Sequence, residues 1–360
     1  MISTISSCFL GTREFESSLR DAAVEGATRL WNKCIQHPST FIERADYWGL
    51  HIKCSDIGGD QVAARSRFFA PLGENAIPLP HLEDKDTRQN IELMRKYRRS
   101  IKERPILHNL NRQALGLGNN FRAMFQAILR DTTQIASGKY LSLRSTTNWQ
   151  PREVVPLIIH EEFLRSYFHL PVPAYAYVYN EGKPTNNFIH SHTIIGLEIH
   201  EEPDERLTLV EALAIVAVAI TRLEFDNLPK QCKTVPVMVI STFGRMKARI
   251  LTAHYESEEL IIRKAPLLDF AEDGPAEANM DLFMRYMASK AIDDINISST
   301  TLTPRRFTLH RNKDKRRRGP IPFIRPPTTP TTATYPEAPH NTPTSPLQDR
   351  VVMSSTTPRD

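Results

Sequence analysis

Three histidines and five carboxylates fall within nineteen residues, NFIHSHTIIGLEIHEEPDE, running from Asn187 to Glu205. Imidazole and carboxylate are ligands for divalent transition metals, so density alone makes a metal centre the first chemistry to weigh. Alternate residues of an extended strand share a face, which pairs His190 with His192 and Glu198 with His200. A chain reversal at Gly196 would then bring both pairs around one ion. His190, His192, Glu198 and His200 are therefore the candidate ligands of a metal-dependent enzyme. The competing reading is a polar strand end leading into a helix at Arg206, where Asp204 and Glu205 favour the positive end of the helix dipole.

Spacing argues against the metal. His-x-His with a downstream Glu resembles the cupin pattern, but five residues separate His192 from Glu198 and no second glycine-rich His motif follows. His160-Glu161-Glu162 begins like a zincin helix, yet Leu164 stands where the second histidine belongs. A Mg²⁺-dependent nuclease needs a carboxylate two residues before its strand lysine, and Lys264 has Ile262 there, with only Glu211 and Glu256 as further contributors. In LGLGNNF the third glycine of a dinucleotide fingerprint falls at Phe121. Neither a Walker A sequence nor a Gly-x-Ser-x-Gly elbow occurs. Ser241, shortly before Gly244, has no assignable histidine partner and reads as a turn residue.

The elements that would position these groups are of mixed type. Apolar residues at helical spacing mark Phe15 to Ile35, and a second helix follows a capping Asp86 and stops at Pro105. A third runs through NNFRAMFQAILRDTTQI. Asp56 to Pro80 is punctuated by Gly and Pro and resists assignment. From Arg206 to Phe225 a helix contains the apolar run ALAIVAVAI, too short to span a bilayer and flanked by Glu211 and Arg222, so it is expected to be buried. Three β-like runs follow, TVPVMVISTF, ARILTAHY and ELIIRKAPL, separated by turn signals at Gly244 and at Glu256 to Glu258, which predicts an antiparallel meander. The helix ANMDLFMRYMASKAI closes this α-β-β-β-α unit, with Leu282, Met284, Met287 and Ile292 as its expected buried side. The fold class expected is α+β. A mainly helical region would occupy residues 1–150, an α+β domain 151–298, and a disordered tail 299–360.

VPVMVISTFGRMKARILTAHYESEELIIRKAPLLDF, followed by DLFMRYMAS, resembles a segment that recurs in a family of uncharacterised filamentous-fungal proteins. A Val-Pro strand ends there in Ser-x-x-Gly, an Ala-Arg-Ile and a Leu-x-Ile-Arg strand follow, and a Phe-x-Arg-Tyr helix completes the segment. The resemblance covers residues 234–290, implies a fungal source, and brings no activity with it.

Charge divides unevenly along the chain. Residues 301–360 carry eleven Lys/Arg against four Asp/Glu, a balance of +7, which leaves 35 against 37 for residues 1–300. Eleven of the 26 prolines also lie in that tail, a composition too poor in large apolar residues to offset its ordering entropy. Within it Arg311, Lys313, Lys315, Arg316, Arg317 and Arg318 form a basic run suited to a nuclear import receptor or to nucleic acid phosphates. Pro327-x-x-Pro330 and Pro343-x-x-Pro346 suit a protein partner that reads polyproline II. A second basic stretch, Arg95, Lys96, Arg98, Arg99, Lys102 and Arg104 around Tyr97, makes nucleic acid binding an alternative. Cys8, Cys34, Cys54 and Cys232 are scattered like reduced thiols, and the amino terminus lacks the basic start of a secretory signal. The expectation is a nuclear or cytoplasmic, non-enzymatic interaction or regulatory protein without a membrane span. No cofactor is expected, a divalent transition metal being the alternative.

Overall fold

The computed structural model describes residues 4–57, 67–103, 109–132, 140–166, 173–180, 191–225, 234–256 and 258–292. In chain order the elements are α1 (Thr4–Ile35), β1 (Phe41–Ile42), β2 (Ile52–Asp56), β3 (Phe69–Ala70), α2 (Lys85–Glu103), α3 (Leu110–Gln126), β4 (Leu129–Asp131), β5 (Tyr140–Ser142), β6 (Trp149–Pro151), α4 (Glu161–Ser166), β7 (Tyr175–Tyr179), β8 (Thr193–Ile199), β9 (Leu207–Thr208), α5 (Leu209–Phe225), β10 (Val237–Phe243), β11 (Lys247–Glu256), β12 (Glu259–Lys264), β13 (Leu268–Asp269), α6 (Asp273–Met287) and β14 (Lys290–Ala291). The chain is thus a mixture of helix and strand. Residues 293–360, including the expected tail and its basic run, lie outside the described residues.

One sheet organises the fold, in the order β2-β12-β11-β10-β8-β7-β6. β10 pairs antiparallel with β11, joined by the short turn at residues 244–246, and β11 pairs antiparallel with β12. Parallel pairing occurs at two places, β8 with β10 and β2 with β12. A parallel neighbour requires a crossover, and α5 provides it between β8 and β10. Because β2 pairs with β12 and β6 straddles residues 150 and 151, the sheet takes strands from both halves of the chain.

Helices cover both faces, so the central strands are buried on both sides, as their unbroken apolar runs require. Alternation along the strands sorts the side chains. Ile195, Leu197, Val237, Val239 and Leu251 meet α1 and α5 on one face, while Ile194, Met238, Ile240 and Ile250 meet α3 and α6 on the other. Helix α5 is apolar nearly all round, which suits a helix enclosed between α1 and the sheet. Among the described residues no helix is long and apolar enough to cross a membrane.

Several local expectations shift. Asp84, not Asp86, caps α2, its Oδ2 accepting from Thr87 N at 2.7 Å. The third helix begins at Leu110, nine residues earlier than Asn119, and gives way to β4 where RDT was read as helical. Ile292 lies beyond α6 and is 39% exposed, whereas Phe283 and Tyr286 join Met284 and Met287 in the core. Ser241 is no turn residue: it is wholly buried within β10, opposite Arg249 of β11.

Candidate functional site: a charged cleft beyond the carboxyl ends of the strands

The histidine cluster does not assemble. β8 runs unbroken from Thr193 to Ile199 with Gly196 paired on both sides, so the reversal that a common ion requires is absent. At roughly 3.3 Å per residue, His192 and Glu198 stand about 20 Å apart along the strand. His192 is a core residue, with its ring against Phe69 and Nε2 3.2 Å from the carbonyl oxygen of Ile292. Glu198 is half-buried beneath α3, where burial raises its carboxyl above the ordinary range and Arg122 only partly offsets this. His200 is exposed past the strand end, and His190 lies outside the described residues. Among the described residues no three His, Cys, Asp or Glu side chains stand close enough to hold a metal ion.

The basic helix is also committed elsewhere. Arg95, Arg98 and Lys102 of α2 face Glu277, Asp273 and Glu272 at the start of α6, at 3.7, 3.7 and 3.5 Å. Arg99 pairs within its own helix with Glu92. The Tyr97 hydroxyl donates to the carbonyl of Arg112, so the ring expected to stack on a base ties α2 to α3 instead. Arg104 and the run from Arg311 to Arg318 lie outside the described residues.

Chemistry gathers instead on the α1–α5 face, beyond the carboxyl ends of β2 and β12, the side on which ligands sit in sheets with parallel strands. An open cleft of about 630 Å³ lies there, within the size range of small-molecule sites. Its floor is Lys264, the last residue of β12, with only 6% of its side chain exposed. Nζ stands 2.7 Å from Oδ1 of Asp56, its register partner at the end of β2, and 3.9 Å from Oε2 of Glu205. The hydrogen bond and charge of Lys264 hold the Asp56 carboxyl below its usual range, with Arg44 adding to the effect. Glu43, Arg44 and Tyr47 form one wall and Glu205 and Arg206 the other.

A small strand pair aligns these walls. Phe41 and Ile42 of β1 pair with Thr208 and Leu207 of β9, and Leu209 N donates to Thr40 O at 2.8 Å. The segment after β1 is thereby fixed beside the start of α5. Arg206 bridges the walls, donating to Glu43 and to both carboxylate oxygens of Asp204, while its guanidinium lies 4.6 Å from the Phe41 ring centroid. Those bonds from Arg206 pull Asp204 down to about 2.

Behind the cleft a fully buried ion pair holds the loop in place. Arg249 of β11 and Glu211 of α5 have no exposed side-chain surface and form a two-pronged pair, Nε to Oε1 at 2.9 Å and Nη2 to Oε2. The same guanidinium donates to the carbonyls of Asp204 and Arg206 at 2.9 and 2.8 Å. Glu211 also accepts from Thr208 N and Oγ1, and Thr208 Oγ1 accepts from Glu211 N, a reciprocal capping box that starts α5. Burial alone would raise the Glu211 carboxyl, but the Arg249 charge and hydrogen bonds outweigh it and keep the group below its ordinary value. Arg249 therefore positions Glu205 and Arg206 without lining the cleft.

Sequence reasoning placed Glu211 and Lys264 among possible catalytic residues but gave them no partners. The carboxylate missing at Ile262 is supplied by Asp56, the last residue of β2, a strand just ahead of the Gly/Pro-punctuated region for which no element was expected. Arg249, Arg44 and Tyr47 were not singled out; the only available signal was a charged residue inside an apolar strand, RIL within ARILTAHY. Comparison with known proteins gives no match: no family model fits the chain, and no curated protein or solved structure matches it significantly.

Proposed function

We propose that the chain is a non-enzymatic binding and regulatory module whose cleft receives a small zwitterion, of the kind represented by a free α-amino acid. The observation that carries this reading is the balance of charge in the cleft: Arg44, Arg206 and Lys264 alternate with Glu43, Asp56 and Glu205. A purely anionic ligand would meet three carboxylates, and a purely cationic one would meet three cations. A molecule with one group of each sign satisfies both sets, its ammonium toward Asp56 and Glu205 and its carboxylate toward the guanidinium groups, which form the stronger two-pronged bonds to carboxylate. The partly enclosed site beside Lys264 strengthens those contacts relative to bulk water.

Calorimetric titration of the full chain with each of the twenty standard amino acids tests the reading. Binding of at least one is expected, and Arg44→Gln should weaken it by about tenfold or more, the worth of one charge-assisted contact to the ligand carboxylate. Twenty flat titrations would remove the proposal.

The basic Pro/Thr-rich segment serves in this reading as the address of the module, with Arg311, Lys313, Lys315, Arg316, Arg317 and Arg318 engaging an import receptor or nucleic acid. Its support is composition and charge density. A fluorescently tagged chain lacking residues 301–360 should lose nuclear accumulation, and an unchanged distribution would overturn this part.

A further inference from the structure

A second recess lies at the other end of the strands, where α1 passes the turn between β11 and β12. It holds about 50 Å³ and is lined by Gly26, Arg29, Lys33, His51, Tyr255 and Glu258, with Leu30 at its base. At roughly 10–15 Å³ per water position, this space accommodates a tetrahedral oxyanion. Two observations show that it is built to receive a polar group. Tyr255 lines the recess and is only 4% exposed, yet its buried hydroxyl has no hydrogen-bond partner among the described residues. A Cβ at position 26 would stand 2.2 Å from that oxygen, so glycine in α1 is what leaves the hydroxyl its place.

The charges fit an anion. Arg29 and Lys33 are one helical turn apart on the same face of α1. Lys33 Nζ spends one hydrogen on the carbonyl of Gly49 at 3.0 Å and retains two. Arg29 is held by Glu25 at 2.8 Å and by Glu258 at 2.9 Å, so a carboxylate from the turn already occupies part of the anion's position. Burial, with Glu258 nearby, pushes the Tyr255 phenol up to about 12 against the opposing charge of Arg29, which keeps it a protonated donor at neutral pH.

We propose that this recess binds the phosphoryl group of a small phosphate ligand, with Arg29 and Lys33 countering its charge and the Tyr255 hydroxyl donating to one oxygen. Glu258 acts as the internal competitor that such a ligand displaces. The assignment is independent of the zwitterion cleft, which shares no residue with it.

Calorimetry on the full chain, with inorganic phosphate and with glycerol phosphate against sodium chloride at equal ionic strength, decides the matter. Inorganic phosphate should bind beyond the chloride control. Lys33→Gln should weaken it by about tenfold and Tyr255→Phe, which keeps the ring and its packing, by about fivefold. Glu258→Gln should tighten it, a gain that no loss of folding can imitate, and Lys264→Met should leave it unchanged. Binding of glycerol phosphate as well assigns the recess to phosphate monoesters, and its exclusion assigns it to the free anion. Heats equal to those of chloride, or one affinity shared by the wild type and the Lys33, Tyr255 and Glu258 variants, would overturn the proposal.

Discussion

Arg249→Met destabilises the folded chain by roughly 3–5 kcal/mol at neutral pH, because it leaves the Glu211 carboxylate buried and unpaired. Both side chains of the pair are fully buried, so water cannot replace the guanidinium without opening the interface between α5 and the sheet. Neutral donors alone, Thr208 and the Ser241 hydroxyl, would continue to serve Glu211 among the described residues. The paired variant Arg249→Met/Glu211→Leu should recover most of the loss, since the apolar replacement removes the stranded charge. Recovery should be incomplete: Thr208 N loses its cap acceptor, typically worth about 1 kcal/mol, and the carbonyls of Asp204 and Arg206 lose a donor.

The pH dependence separates this mechanism from lost packing. In the native pair the Glu211 carboxyl lies below its ordinary value. It therefore contributes stability above the unfolded carboxylate value, roughly 4.3, and that contribution is lost as pH falls through its own lower value. Without Arg249 burial, the largest influence on Glu211, is opposed only by the hydrogen bonds from Ser241 and Thr208, so the shift reverses sign and ionisation becomes the unfavourable step. The variant's deficit should shrink as pH falls from about 7 toward 5, when the stranded carboxyl can take up a proton. Urea unfolding of wild type, single and paired variants at both pH values measures this. A deficit that stays constant with pH would assign the loss to packing and defeat the charge argument.

The same pair shows why fold and site were unequally legible from sequence. Local signals reached their targets: the apolar run in LVEALAIVAVAITRLEF became the buried α5, and the three β-like runs coincide with β10, β11 and β12. Each of these is fixed by residues within a few positions of one another. The cleft depends on pairings without local trace. Asp56 meets Lys264 only because β2 adds to β12 in parallel, and a parallel pairing carries no turn between its strands to announce it. Arg249 is a single charged residue inside an apolar strand and was not singled out, and its partner Glu211 reads only as a flank of the apolar helix and a stray contributor to a nuclease site. Residue density misled in the other direction. His192, Glu198 and His200 are close in sequence, and an unbroken strand is the arrangement that holds close sequence neighbours furthest apart.

Gly196, which suggested a chain reversal, has a different reason to be glycine, and Gly196→Ala tests it. The residue pairs with Tyr175 on one side and Ile240 on the other, in the middle of the sheet. Alanine would normally be favoured over glycine in a strand interior by about 0.5–1 kcal/mol, because glycine loses more backbone freedom on folding. Here an added Cβ would stand 2.3 Å from Cζ, 2.4 Å from Cε1 and 2.7 Å from Cε2 of Tyr175, whose ring lies across the bare backbone. Tyr175 is 6% exposed and packs beside Tyr177, with ring centroids 5.6 Å apart, so it has no free space into which to swing. The steric term should therefore win, and Gly196→Ala should destabilise by about 1–3 kcal/mol despite its entropic advantage. Shortening the obstructing side chain reverses the balance: Gly196→Ala should cost much less in a Tyr175→Leu background than in the native one, a coupling that chemical denaturation of the four proteins reads directly. Equal costs in the two backgrounds, or a stabilised Gly196→Ala, would mean that Tyr175 does not need the space that glycine leaves.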